Sequence, residues 1–164
     1  MPKDKFTGLL VFLFTVFLIS FLGYLATNVS TDNWYADLKK PFWTPSDWVF
    51  APVWIVLYIM IAFSGWIVWI KSGYDLHNTA MKIYSLQLLC NALWPWLFFA
   101  MQNTVFAFID ISALLILILF NMAYFWQYSP FASLLLFPYL IWISFAMSIN
   151  FVIALYDVFE GALQ

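Results

Sequence analysis

Four groups of side chains in this sequence could do chemistry together, and they are built largely from indoles, phenols and amides. Gln87, Asn91 and Trp94 follow at spacings of four and three, which stacks two amides and an indole on one helical face. Tyr139, Trp142, Ala146 and Asn150 keep a similar rhythm, with the small Ala146 leaving room beside the larger rings. Trp54 and Tyr58, four apart, share a face and can extend an aromatic surface, although ordinary bundle packing accounts for either ring alone. The fourth group is the run from Trp34 to Trp48, which joins Trp34, Tyr35, Phe42, Trp43 and Trp48 to Lys39 and Lys40. Flat apolar surfaces with a few placed polar groups suit enclosure of a hydrophobic guest, and a lysine at the rim can pair with a carboxylate on it.

Bond-making chemistry has little support. His77 is the sole histidine and lies in a polar stretch, while Cys90, the sole cysteine, stands in an apolar run. No paired carboxylates occur there, so metal catalysis, a histidine relay and two-carboxylate hydrolysis lack their parts, and no resident metal or cofactor is expected. Asp110 is the one acid well inside an apolar run. Hydrogen bonding to another helix or to water near the interface is its expected role, with a ligand site or proton relay as the functional reading.

These groups must be held by membrane-spanning helices. Of 164 residues, 66% are hydrophobic and 9% charged, against about a quarter charged in soluble domains. The charges fall almost wholly outside five apolar runs, near 6–26, 51–70, 83–101, 105–128 and 131–156, each long enough to cross about 30 Å of hydrocarbon as a helix. The runs lack the alternation of barrel strands. The expected fold is therefore all-α, a single transmembrane domain over 1–164. The first run resembles a secretory leader but is long and lacks a small-residue cleavage site, so retention as a helix is expected. Pro95 should bend the third helix and Pro138 the fifth. Tyr24, Trp48, Trp69, Tyr84, Trp126 and Tyr156 near span ends read as interfacial anchors. Lys3, Lys5, Lys71 and Lys82 on one side, against Lys39 and Lys40 on the other, favour an inside amino terminus. A net charge of -2 without a basic face leaves no footprint for nucleic acid.

The connector 27–50 is far longer than a return turn requires and too aromatic to lie in water. Pro41, Pro45 and Pro52 restrict it, and Pro52 suits the first turn of the following helix. It either caps the bundle by packing alone or closes as a lid over a pocket, and the indoles beside lysines favour the lid. Lys39 and Lys40 could equally face lipid phosphates.

These segments resemble, in order, the translocator protein family, also called tryptophan-rich sensory proteins or peripheral benzodiazepine receptors. The likeness rests on Trp34-Tyr35, Leu38-Lys39-Lys40-Pro41, Trp43-Thr44-Pro45 with Trp48, Pro52-Val53-Trp54 and Leu57-Tyr58. It continues through Gln87-Leu88, Asn91, Trp94, Leu97-Phe98-Phe99, Pro138-Tyr139-Leu140, Trp142, Phe145-Ala146 and Asn150. The resemblance implies five transmembrane helices, a homodimer, and a pocket closed by the first loop, with Trp34, Trp43, Trp54, Asn91, Trp94, Trp142, Ala146 and Asn150 matching pocket and lid. Its implied ligands are porphyrins such as protoporphyrin IX, cholesterol and benzodiazepine-site drugs. Its implied activities are binding, transport, stress regulation and light-dependent porphyrin breakdown.

The cholesterol-recognition pattern of animal members is missing, since no Lys or Arg follows Tyr156. The expectation is a microbial porphyrin-binding receptor in a bacterial cell membrane, with Trp34, Lys39, Trp43, Trp54, Tyr58, Asn91, Trp94, Tyr139, Trp142, Ala146 and Asn150 contacting the ligand. Absence of repeated halves and of a charged path makes secondary transport the least supported alternative. No GxxxG seam marks a dimer face.

Overall fold

A computed structural model describes residues 5–29 and 34–161. Lys3, named above for topology, lies outside the described residues. The order is α1 (Lys5–Val29), α2 (Trp34–Asp37), a 3-10 turn (Asp47–Val49), α3 (Phe50–Lys71), α4 (Thr79–Pro95), a π turn (Trp96–Ala100), α5 (Thr104–Tyr128), α6 (Pro130–Leu135) and α7 (Phe137–Gly161). The described residues contain no strand, and five helical segments are long and apolar enough to cross a membrane. The ring closes because α1 packs on α3, α3 on α6 and α7, α7 on α5, α5 on α4, and α4 on α1.

Local sequence fixes the ends. The Asn78 side chain accepts from the Met81 amide at 2.9 Å and starts α4, and Asn103 does the same for α5 through Phe106 at 2.9 Å. After α3, Gly73 takes φ 76°, so its N–H reaches Ile70 O and the Tyr74 N–H reaches Trp69 O, satisfying carbonyls the helix end leaves open. Ser129 caps α6 and Pro130 occupies its first turn, where a missing N–H costs nothing.

The two expected proline bends take different forms. Pro95 ends the regular part of α4, and the chain continues as the π turn, closed by Met101 N–H to Trp96 O at 2.8 Å. Gly23 of α1 passes this bend closely, since a Cβ there would lie 3.3 Å from Pro95 Cγ. The fifth span is interrupted at Leu136, one residue before α7 begins with Phe137-Pro138. Pro138 lies in the first turn of the new helix rather than in the middle of a bent one.

Trp69 and Tyr84 correct the anchoring expectation, because both are buried, whereas Tyr24, Trp48, Trp126 and Tyr156 are exposed. Phe12 meets Trp69 and Tyr84 at 5.9 Å each, and Tyr84 stacks on Phe125 at 5.8 Å. This aromatic core needs glycine at two close approaches. Gly8 lies against the Trp69 ring, and a Cβ on Gly65 would stand 2.5 Å from Tyr84 Cζ. Tyr84 is also bonded to Ile61 O at 3.2 Å, so it cannot withdraw freely. Replacing Gly65 by Ala is expected to cost about 1–3 kcal/mol of stability by overpacking, read as a lower unfolding midpoint in detergent; an unchanged midpoint would show that Tyr84 yields.

Candidate functional site

The polar residues expected to face inward meet at the centre of the ring. Tyr58 of α3 donates to Asn91 Oδ1 of α4 at 2.8 Å, and Asn91 Nδ2 donates to the Tyr139 hydroxyl of α7 at 2.7 Å. That hydroxyl in turn donates to Gln87 Oε1 at 3.1 Å. Trp54 covers the run, stacked on Tyr58 at 5.2 Å and edge-on to Tyr139 at 6.3 Å. Gln87 Nε2 is buried without a hydrogen-bond partner, leaving both of its N–H donors unspent.

A second polar chain lies above it. Trp94 Nε1 donates to Asn150 Oδ1 at 3.0 Å, Asn150 Nδ2 donates to the Thr104 carbonyl at 2.9 Å, and Thr104 Oγ1 donates to Asp157 at 2.6 Å. The pocket indole is thereby tied through α7 and the start of α5 to an exposed carboxylate. Trp94 also stacks on Phe98, with centroids 4.9 Å apart and planes 18° apart.

The lid divides in two. Trp34 meets Phe98 edge-on at 5.6 Å, Tyr35 packs on Phe99 at 5.6 Å, and Leu38 joins the same cluster, so the first part is docked on the bundle. Lys40 fastens it from within, donating to Tyr35 O at 2.7 Å with its ammonium 3.9 Å from the Tyr35 ring centre. The second part turns outward: Trp43 is 39% exposed and packs on Phe42, itself 96% exposed, and Trp48 is 76% exposed. Lys39 is exposed. Burial raises the Tyr35 phenol above its ordinary value of 10.0, and the nearby charge of Asp47 adds to the rise.

Beneath the lid, α3 and α7 meet sparsely and leave an apolar groove of about 530 Å³ bordered by Val53, Leu57, Pro138, Ile141, Trp142 and Phe145. Trp142 forms part of its wall and meets Phe50 edge-on at 5.6 Å. Ala146, one turn further, is partly buried against the main core.

The structure thus brings Trp54, Tyr58, Asn91 and Tyr139 into one assembly, and Trp34, Trp94 and Asn150 into a second. Trp142 and Ala146 border them, while Trp43 and Lys39 stand apart. Sequence reasoning gave no part to Phe98, Thr104 or Asp157. Phe98 lies four residues after Trp94, a signal for a shared face, but the π turn that brings it to 2% exposure leaves no such mark. Cys90, which stands in an apolar run, lies near Asp110, whose Oδ2 is buried without a hydrogen-bond partner. No cluster of three or more His, Cys, Asp or Glu with metal-holding geometry occurs among the described residues.

Five membrane-length helices closed around a buried phenol–amide chain and roofed by a tryptophan-rich loop define a helical integral membrane protein with an aromatic interior. The chain belongs to the TspO/MBR family, which matches residues 11–156. It is 41% identical over 140 residues to the tryptophan-rich protein TspO of Archaeoglobus fulgidus, an overlap of 85% of this chain and 90% of the other. The translocator protein of Homo sapiens is 33% identical over 121 residues, covering 73% and 72%, and the tryptophan-rich sensory protein of Cereibacter sphaeroides is 33% identical over 120 residues, covering 73% and 74%. Membership makes this chain a membrane protein of the translocator and sensory group.

Two outcomes follow from the geometry. Asn150→Leu strands Trp94 Nε1 in a dry site and should cost about 1–3 kcal/mol of stability, seen in thermal unfolding, whereas Asp157→Asn, which keeps an acceptor for Thr104, should cost far less. The Tyr35 phenol is harder to ionise folded than unfolded, so its contribution is intact below about pH 10 and is lost as pH rises further. Wild type should therefore lose more stability above pH 10 than Tyr35→Phe; parallel curves would remove Tyr35 from the lid's docking.

Proposed function

We propose that the protein is a membrane receptor that reversibly binds protoporphyrin IX and related hydrophobic ligands between its helices. One observation carries this reading: Trp54, Trp94 and Trp142, from three helices, flank a buried phenol–amide chain beside a groove open to lipid. The groove falls within the range of about 300–1,000 Å³ usual for small-molecule sites, and its lining is apolar with polar groups held behind it. A flat ring dissolved in the bilayer would slide between α3 and α7, displace the Trp142–Phe50 contact and stack among the indoles. Asn91, Tyr58, Tyr139 and Asn150 would orient it, Ala146 would leave space for it, and Trp34 with Trp43 would close the lid over it. Lys39, which is exposed at the rim, would pair with a propionate. Family likeness adds a homodimer in a cell membrane to this reading.

The test is titration of protoporphyrin IX into the protein in lipid, followed by porphyrin absorbance. Trp94→Leu should weaken binding about tenfold, the worth of one aromatic stacking partner, while exposed Gln127→Ala should not change it. Equal curves for the two variants would place the ring elsewhere. Runs in darkness should return intact porphyrin on extraction. Ring loss that needs light, oxygen and folded protein would instead make the protein a porphyrin-degrading enzyme.

A further inference from the structure

A second cavity lies at the opposite membrane face from the lid. The helices α1 and α4 start on that face, and their positions 8–15 and 81–88 form two facing walls. Val11 and Thr15 stand on one, Ser85 and Leu88 on the other, and Trp69 with Leu76 closes the end of the space. The cavity measures about 220 Å³ and runs along the helices for about 10 Å, given 1.5 Å of rise per residue. Val11, Ser85 and Leu76 are exposed, so the slot opens on the outside of the ring rather than into its centre.

Among the described residues, two lysines flank its mouth, and Asp75 stands beside Leu76 at the closed end. Lys5 lies three residues before Gly8 on α1, and Lys82 three before Ser85 on α4, so each ammonium shares the face of its helix with the slot. Both lysines are exposed. Among the other described charges of this face, Lys71 is turned toward Ser129 Oγ at 3.2 Å, and Asp75 accepts from the His77 amide within its own turn. The slot is thus an apolar channel beginning at headgroup level between two cations.

We propose that this slot is a specific site for an anionic phospholipid, one acyl chain lying between α1 and α4 over the Trp69 ring and the phosphate held by Lys5 and Lys82. The lipid is a structural ligand distinct from the guest in the lid-side site. Its recognition couples chain burial in a narrow slot with charge at the rim, which a zwitterionic lipid satisfies only in part. Gly8 has a defined part in this site, since any side chain there would push Trp69 out of its place.

Detergent-solubilised protein would be titrated with phosphatidylglycerol or phosphatidylcholine carrying brominated acyl chains, which quench indoles in contact with them. Saturable quenching by phosphatidylglycerol is expected, lost in Trp69→Phe and weakened about tenfold or more in the double variant Lys5→Gln/Lys82→Gln. Ser85→Phe, which fills the slot from its exposed rim, should abolish the saturable part. The lysine variant changes only exposed groups and keeps the test decisive if Ser85→Phe fails to fold. Equal affinity for both lipids with no effect of the lysine change would mean annular lipid only and would overturn the site. Loss of a dimer in Ser85→Phe, by light scattering, with phosphatidylglycerol quenching intact would show that a second copy of the chain covers the slot, and would overturn it as well. Porphyrin titration of the lysine variant is expected to match wild type, which separates failure of this site from failure of the lid-side one.

Discussion

In hydrocarbon a polar side chain has no water to fall back on, and the run Tyr58–Asn91–Tyr139–Gln87 is how this bundle meets that constraint. Each group satisfies the next across three helices, so α3, α4 and α7 are fixed in rotation relative to one another. Apolar packing alone would not do this, because lipid tails solvate a leucine face as well as another helix does. Once those three helices are registered, the indoles of Trp54 and Trp94 have defined positions. The sparse meeting of α3 and α7 is then a stable opening rather than a packing defect.

The five spans and the amide faces were legible in the sequence for the same reason. Thickness of the bilayer demands long apolar runs, and the rare amides within them must turn inward. What the sequence hid was the orientation of everything else. Trp69 and Tyr84 occupy positions that suit interfacial anchors, yet both are core residues, because helices apolar all round carry no periodic signal that tells lipid from protein. The nearness of Cys90 to Asp110 is likewise tertiary, set by how α4 meets α5.

Pro95 illustrates a partial reading. Its missing N–H announces a weak point in α4, but whether that becomes a kink or a π turn depends on neighbours such as Gly23 of α1. The π turn brings Phe98 under Trp34 and against Trp94, which gives the lid something to dock on. The aromatic character of the connector was legible in the sequence. Its division was not, since Trp34 and Trp43 belong to the same composition and only the Lys40–Tyr35 fastening separates the seated part from the outward one.

Among the described residues, Trp94 is the one packed against both hydrophobic clusters, the large one around Tyr84 and Tyr139 and the smaller one around Phe98 and Ile153. A single indole therefore joins two storeys of the molecule. It stacks on the Phe98 ring against which Trp34 rests, and hydrogen bonds through Asn150 and Thr104 connect it to Asp157 at the surface. A guest bound beside Trp94, as proposed above, would thus meet a side chain whose contacts lead from bilayer depth to the water's edge.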